Sequence, residues 1–248
     1  MKPAFWGTQL INLPTTKTVG AKNLLFRVSH RFFRPISNGY NEYYGLNGPA
    51  FILISLGYGF RENLSLTMGH SNYNHEWEVG FNWLALKQGQ IPMLPISVAV
   101  IGGGSLITVP EPCHSVWRSE NLKMNLQLSI SHQFSDELSL MLVPSFSSNT
   151  NTFDPLSENT FVLGTGSRFM FADNFSVIGE WLPVISGYKD ELNSWGLGLE
   201  YKIGGHVFQV FLTNTYGLTT DQYIIGGDLK LENNHYRVGF NIFRSFWF

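Results

Sequence analysis

The sequence is poor in the features that stabilise or anchor most proteins of its length. Cys113 is its only cysteine, so no intrachain disulfide can form. Charged residues are 14% of the 248, far below the roughly one quarter usual in soluble domains. The net charge of −2 lacks the clustered basic footprint that nucleic acid requires. There is no run of about 18 apolar residues, which excludes a helical membrane protein. The first residues, Met1-Lys2-Pro3-Ala4-Phe5-Trp6, have neither the apolar stretch nor the cleavage site of an export signal. Because the strands described below belong in a membrane reached by export, the chain is expected to be a mature or trimmed form.

Motifs of catalysis and cofactor binding are equally scarce. Cys113 and His114 sit in a Pro-rich stretch and are too few ligands for a structural metal site. Gly102-Gly103-Gly104-Ser105 lacks the Lys-Ser/Thr ending of a phosphate loop, and glycines at a strand end are expected to relieve crowding or form a bulge. The acids Asp154, Glu158, Asp190, Glu191, Asp221 and Asp228 lack calcium-loop spacing. A wall-mounted hydrolase would need an outward serine beside His30 or His132, and none is apparent. No cofactor or catalytic residue is expected.

Aromatic residues are abundant: 15% of the chain, with 20 Phe, 10 Tyr and 7 Trp. Yet mean hydropathy is only −0.02. This combination fits a barrel with lipid outside and water inside. Period-2 alternation runs through almost the whole chain. From Leu122 to Phe134, Met124, Leu126, Leu128 and Ile130 share one face, and Asn125, Gln127, Ser129 and Ser131 share the other. The pattern predicts strands at 23–33, 50–60, 64–73, 75–86, 94–106, 122–134, 138–147, 159–172, 175–186, 194–203, 206–216 and 235–248. The fold expected is all-β: a transmembrane up-and-down antiparallel barrel of about twelve strands. Residues 1–22 form a periplasmic N-terminal segment and 23–248 the barrel. That segment either tucks into the barrel or meets a partner.

Connections alternate between tight turns and longer loops, as periplasmic turns and outer loops do. An even strand count places both termini on the periplasmic side. Three turns repeat one pattern, Phe60-Arg61-Glu62-Asn63-Leu64-Ser65, Phe134-Ser135-Asp136-Glu137-Leu138-Ser139 and Phe171-Ala172-Asp173-Asn174-Phe175-Ser176. Asp and Asn make the turn, and the flanking Phe or Leu sits at the membrane interface. Phe248 ends the last strand, as in bacterial outer-membrane proteins whose insertion machinery reads such an end. Trp77, Trp181, Trp195 and Tyr236 form the opposite aromatic girdle.

Alternation turns Arg27, Arg31, Lys123, Arg168, Lys202, Arg237, Glu76, Glu78, Glu180 and Glu200 inward, six basic and four acidic groups. On the lipid face each would cost about 2–4 kcal/mol at mid-depth. Arg168, Glu180 and Glu200 lie on consecutive strands and are expected to form an ion-pair ladder. The ladder reads either as a selectivity constriction or as a plug. Twelve strands about 4.8 Å apart, tilted about 40°, give a backbone diameter near 24 Å, leaving roughly a nanometre for side chains or solute. His30 falls on the lipid face, as an interfacial anchor or a contact with another subunit or loop.

Leu25-Phe26-Arg27-Val28-Ser29-His30-Arg31-Phe32, Tyr44-Gly45-Leu46-Asn47-Gly48, Gly204-Gly205-His206-Val207-Phe208-Gln209 and Arg237-Val238-Gly239-Phe240-Asn241-Ile242 stand in that order. Over residues from about 20 to 248 the chain resembles a β-barrel family of unassigned function common in Bacteroidota outer membranes. The resemblance implies an outer-membrane location and draws interest to Arg27, His30, Arg31, His206 and Gln209, without a substrate. Two functions follow. One is a narrow channel for ions or small solutes. The other is a non-conducting accessory barrel of an envelope complex. The partners expected are the lipid bilayer and, for the second function, other envelope proteins.

Overall fold

Alternating chains of this kind satisfy their backbone polar groups in a bilayer only by closing on themselves. A computed structural model describes residues 3–109, 115–150 and 158–248. Cys113, His114 and Asp154 lie outside the described residues. The strands are β1 (Leu24–Phe32), β2 (Ala50–Arg61), β3 (Leu64–Ser71), β4 (Glu76–Leu86), β5 (Ser97–Ile107), β6 (Leu122–Gln133), β7 (Leu138–Ser147), β8 (Thr160–Ala172), β9 (Phe175–Leu182), β10 (Val184–Ser186), β11 (Ser194–Ile203), β12 (His206–Thr213) and β13 (Arg237–Phe246). Pro183 lacks an amide proton and interrupts one wall strand, splitting it into β9 and β10. The wall therefore has twelve strands. Each pairs antiparallel with its sequence neighbour, and β1 pairs with β13 to close the barrel.

The tight turns and the start of β1 share one end, and the longer loops share the other. Lipid-facing side chains are exposed and apolar, among them Leu56, Met68, Val79, Leu126, Leu199 and Val210. Phe60, Phe134, Phe171, Phe175 and Phe248 are exposed near the tight-turn end, and Trp77 and Trp181 near the other. Trp195 rests edge-on against Tyr236, with ring centroids 6.2 Å apart. Gly102 faces outward, where an added Cβ would come within 2.8 Å of the Phe81 ring, so the glycine relieves crowding. The bulge in the β4–β5 pair lies elsewhere, between Leu84 and Leu86.

Residues 4–17 run inside the barrel, with Pro3 and Lys22 exposed at its tight-turn rim. They enter at the tight-turn end, turn back at Leu10–Leu13 and leave as β1 begins. Phe5, Trp6, Leu10, Ile11 and Leu13 are fully buried. They pack on Met141, Val143, Val162, Met170, Ile178, Leu182 and Phe211, wall residues that face inward. From the other end, the loop after β12 folds in as a short helix, α1 (Thr220–Ile224), buried throughout. Tyr223 and Ile224 join the same apolar cluster, so the two inserted segments meet within the barrel.

Candidate functional site

The inward wall has two unlike halves. From β7 round to β1 it is apolar, interspersed with glycine and a few strong polar groups. Gly164, Gly166 and Gly196 leave hollows for Leu13, Leu10 and Ile11; a Cβ there would come within 2.7, 2.8 and 2.8 Å of these side chains. From β2 to β6 the inward residues are mostly small or polar, including Ser55, Ser65, Thr67, Asn82, Ser105, Asn125, Gln127, Ser129 and Ser131, with Leu53, Ile101 and Ile107 as the large apolar ones. Gly80 and Gly103 face each other across β4 and β5 in this half.

The charges of the first half hold the N-terminal segment. Glu180 accepts hydrogen bonds from the backbone amides of Ile11 (3.2 Å), Asn12 (2.9 Å) and Leu13 (3.0 Å), and from Asn12 Nδ2 (2.8 Å). One carboxylate thus takes up the amides at the tip of the inserted segment. Arg31 donates to Asn12 Oδ1 (2.9 Å) and Asn241 Oδ1 (3.1 Å), and its guanidinium lies 4.4 Å from the Phe211 ring centre. Arg168 donates to the carbonyls of Pro3 (3.1 Å) and Ala4 (2.9 Å) and stacks 3.9 Å over Trp6. Its Nε is 3.4 Å from Glu200, which also accepts from Ser176 and Gln209. Lys202 Nζ lies 5.9 Å from the Trp6 ring.

The expected ladder is therefore incomplete. Arg168 meets Glu200, but Glu180 turns to the backbone of residues 11–13 instead. Alternation placed these groups inward, whereas their partners come from a tail whose sequence has no period.

The other charged groups act elsewhere. Arg237 pairs with Asp228 (2.7 Å) in the loop after β12 and faces the Tyr216 ring at 5.4 Å. Arg27 donates from Nε to Ser55 Oγ (3.0 Å). Lys123 donates to the carbonyls of Glu120 (2.8 Å) and Asn149. His30 is on the lipid face, stacked on Phe240 at 4.6 Å and edge-on to Phe32 at 4.4 Å.

The polar half leaves a broken seam of space. At the tight-turn end is an open vestibule of about 700 Å³, lined by Thr16, Lys17, Thr18, Glu62, Lys87, Gln88 and Gln133 among others. A strap of the N-terminal segment closes its inner side: Asn82 Nδ2 reaches the carbonyls of Thr15 (3.4 Å) and Lys17 (3.3 Å), and Thr16 Oγ1 is 2.8 Å from Ser131 Oγ. Beyond it lies a chamber of about 60 Å³ bordered by Arg27, Ser65, Thr67, Glu78, Asn82, Asn125 and Gln127.

α1 closes the far side of this chamber. Glu78 accepts from Thr220 N (3.0 Å) and Oγ1 (3.2 Å), and Glu76 from Gln222 Nε2 (2.6 Å). Ser105 donates to Asp221 (3.3 Å), and Gln127 meets the Tyr223 hydroxyl at 3.0 Å. Above α1 is a small mouth of about 50 Å³ lined by Tyr73, Tyr188, Asp190, Tyr216 and Asp221. Burial raises the Asp190 carboxyl above its ordinary range, and the nearby Asp228 carboxylate adds to that rise. The sequence reading missed α1 as an inserted element. Its signal was Thr219 with Gln222 three residues on, a capping box that the structure forms.

Known structures share this architecture. The NanC porin superposes with a TM-score of 0.55 at 9% identity, covering 91% of this chain and all of that one. The KdgM porin in complex with disordered oligogalacturonate gives 0.54 at 10% identity, with 91% and 99% covered. The COG4313 outer membrane channel from Pseudomonas putida F1 gives 0.52 at 11% identity, with 93% and 98% covered. At such identities the likeness is one of fold. No curated protein sequence matches the chain. The closed antiparallel wall, its lipid-facing apolar band and its aromatic rims are those of an outer-membrane β-barrel. Residues 5–246 match the family described as "Membrane bound beta barrel domain (DUF5777)", and the chain belongs to that family.

Proposed function

We propose that the protein is a narrow outer-membrane channel for ions or small solutes, conducting along the β2–β6 side of its lumen. The two-sided interior carries this reading. The apolar half-wall is fitted to the N-terminal segment and forms a permanent filling with it. The opposite half-wall is lined mostly by Ser, Thr, Asn, Gln and Gly, side chains that water and solutes can replace one another against. α1 blocks that half through hydrogen bonds, which exchange for water at small net cost, and through Tyr223 and Ile224, which pack on the edge of the apolar cluster. Lifting α1 and shifting the strap at Thr15–Lys17 join vestibule, chamber and mouth. The porin and channel neighbours support the same class of activity. In this reading the tight turns and both termini are periplasmic, Phe248 serves insertion, the cell is of the Bacteroidota, and no residue is catalytic.

A second reading is favoured by the apolar cluster inside the barrel, which is unlike the wall of an open pore. In it the barrel is a non-conducting accessory subunit of an envelope assembly. Planar-bilayer recordings of the full-length barrel separate the two. Discrete single-channel steps are expected. Silence across the voltage range, with envelope proteins co-purifying, overturns the channel and supports the second reading.

A further inference from the structure

We propose that the chamber at mid-height is the selecting constriction of this channel, with Arg27 and Glu78 as its specificity-determining residues and small ions as its cargo. The inference rests on the channel reading above. It differs from the reading of Arg168, Glu180 and Glu200 as a selectivity constriction, one of the two that the sequence leaves open, because those three groups are occupied by the N-terminal segment or by each other.

Size is the first consideration. The chamber, at about 60 Å³, has room for a few water molecules and is far smaller than the vestibule below it, at about 700 Å³. With the strap and α1 in place a sugar or larger solute stops at the vestibule, and the wall residues of the chamber remain the narrowest polar ring once those two segments shift. The absence of a side chain at Gly80 keeps even this space open. A Cβ on Gly80 would sit 3.2 Å from the Gly102 carbonyl and 3.6 Å from Thr67 Oγ1.

Charge is the second. Among the described residues, Arg27 and Glu78 are the only ionisable side chains that border the chamber. They come from different strands, β1 and β4, and no ion pair within 4 Å joins them among the described residues. Each has neutral partners instead, Ser55 for Arg27 and Thr220 for Glu78. The two opposite charges thus border the same chamber, and lifting α1 takes Thr220 away from Glu78. The remaining polar lining, which includes Ser65, Thr67, Asn82, Asn125 and Gln127 of the wall, offers donors and acceptors to ions of either sign. At contact distance in a water-filled passage, one unit charge changes ion occupancy roughly fivefold. Charges around the wide vestibule are screened by water and contribute less.

The test is the reversal potential of full-length barrels in a salt gradient, with heat-modifiable gel mobility confirming that each variant is folded and inserted. Glu78→Gln keeps the shape and is expected to lower the cation-to-anion permeability ratio roughly fivefold. Arg27→Gln is expected to raise it by a similar factor. Glu200→Gln, inside the filled half, leaves the ratio unchanged. Gly80→Ala lowers conductance without moving the ratio, the mark of a purely steric change at the constriction. Conduction in which Glu78→Gln and Arg27→Gln leave the ratio unchanged, or in which Glu200→Gln moves it as much, overturns the constriction while the channel stands. Silence from every folded barrel overturns the channel and the constriction with it.

Discussion

Glu180 shows how much one inward side chain can organise. A carboxylate in a dry lumen is costly unless its oxygens are satisfied, and this one accepts from the amides of residues 11, 12 and 13 and the Asn12 side chain. Replacing it with Ala leaves those amides buried and unpartnered, and Arg31 loses the Asn12 side chain as a settled acceptor. The expected loss is roughly 3 kcal/mol of docking for the N-terminal segment. Trypsin should then cut faster at Lys17, which is half-buried in the docked strap of the intact barrel, while strand content by circular dichroism stays the same. A Lys17 bond that remains as resistant as in the parent would show that the apolar contacts alone seat the segment. The inward position of Glu180 was readable from alternation, as were those of Arg27, Arg31, Arg168, Glu200 and Arg237. Its partner was not, because contacts between strand β9 and residue 12 depend on how an aperiodic tail folds in three dimensions.

At the scale of elements, the strands were legible and the inserted segments were not. A period of two over ten residues is a strong signal, and every wall strand lies within a few residues of its expected place. The Pro183 interruption falls inside one such run, where alternation carries across the break. α1 is five residues long, and so short a helix has no amphipathic pattern to read; its position depends on tertiary contacts. Gln222 makes several of those contacts: it donates to Glu76 and accepts from the amides of Leu218 (3.1 Å) and Thr219 (3.4 Å). Gln222→Leu removes the capping box and leaves Glu76 without its amide donor. The expected cost is roughly 1–3 kcal/mol of α1 docking. In bilayers this variant should open more often than the parent with the same unitary conductance. Unchanged open probability would mean that α1 is not the moving part.

For the whole molecule, the question is what survives if the filling is removed. The wall is a closed ladder in which every strand has two neighbours, and in hydrocarbon each broken backbone hydrogen bond costs several kcal/mol. The N-terminal segment contributes the burial of Phe5, Trp6, Leu10, Ile11 and Leu13, on the order of 10 kcal/mol as an upper bound. Its loss also bares Val143, Val162, Ile178 and Leu182 to lumen water. The ladder is the larger quantity and does not depend on the filling, so a chain lacking residues 3–20 should still insert and migrate as a heat-modifiable barrel. It should melt at a lower temperature and pass much larger currents, with little charge preference, because the selecting chamber loses one of its sides. A shortened chain that fails to insert would place the segment in the folding nucleus of the wall. One that inserts but carries only the parent's current would mean that the seam along β2–β6 is already the whole conduit and the apolar half-wall collapses shut without its plug.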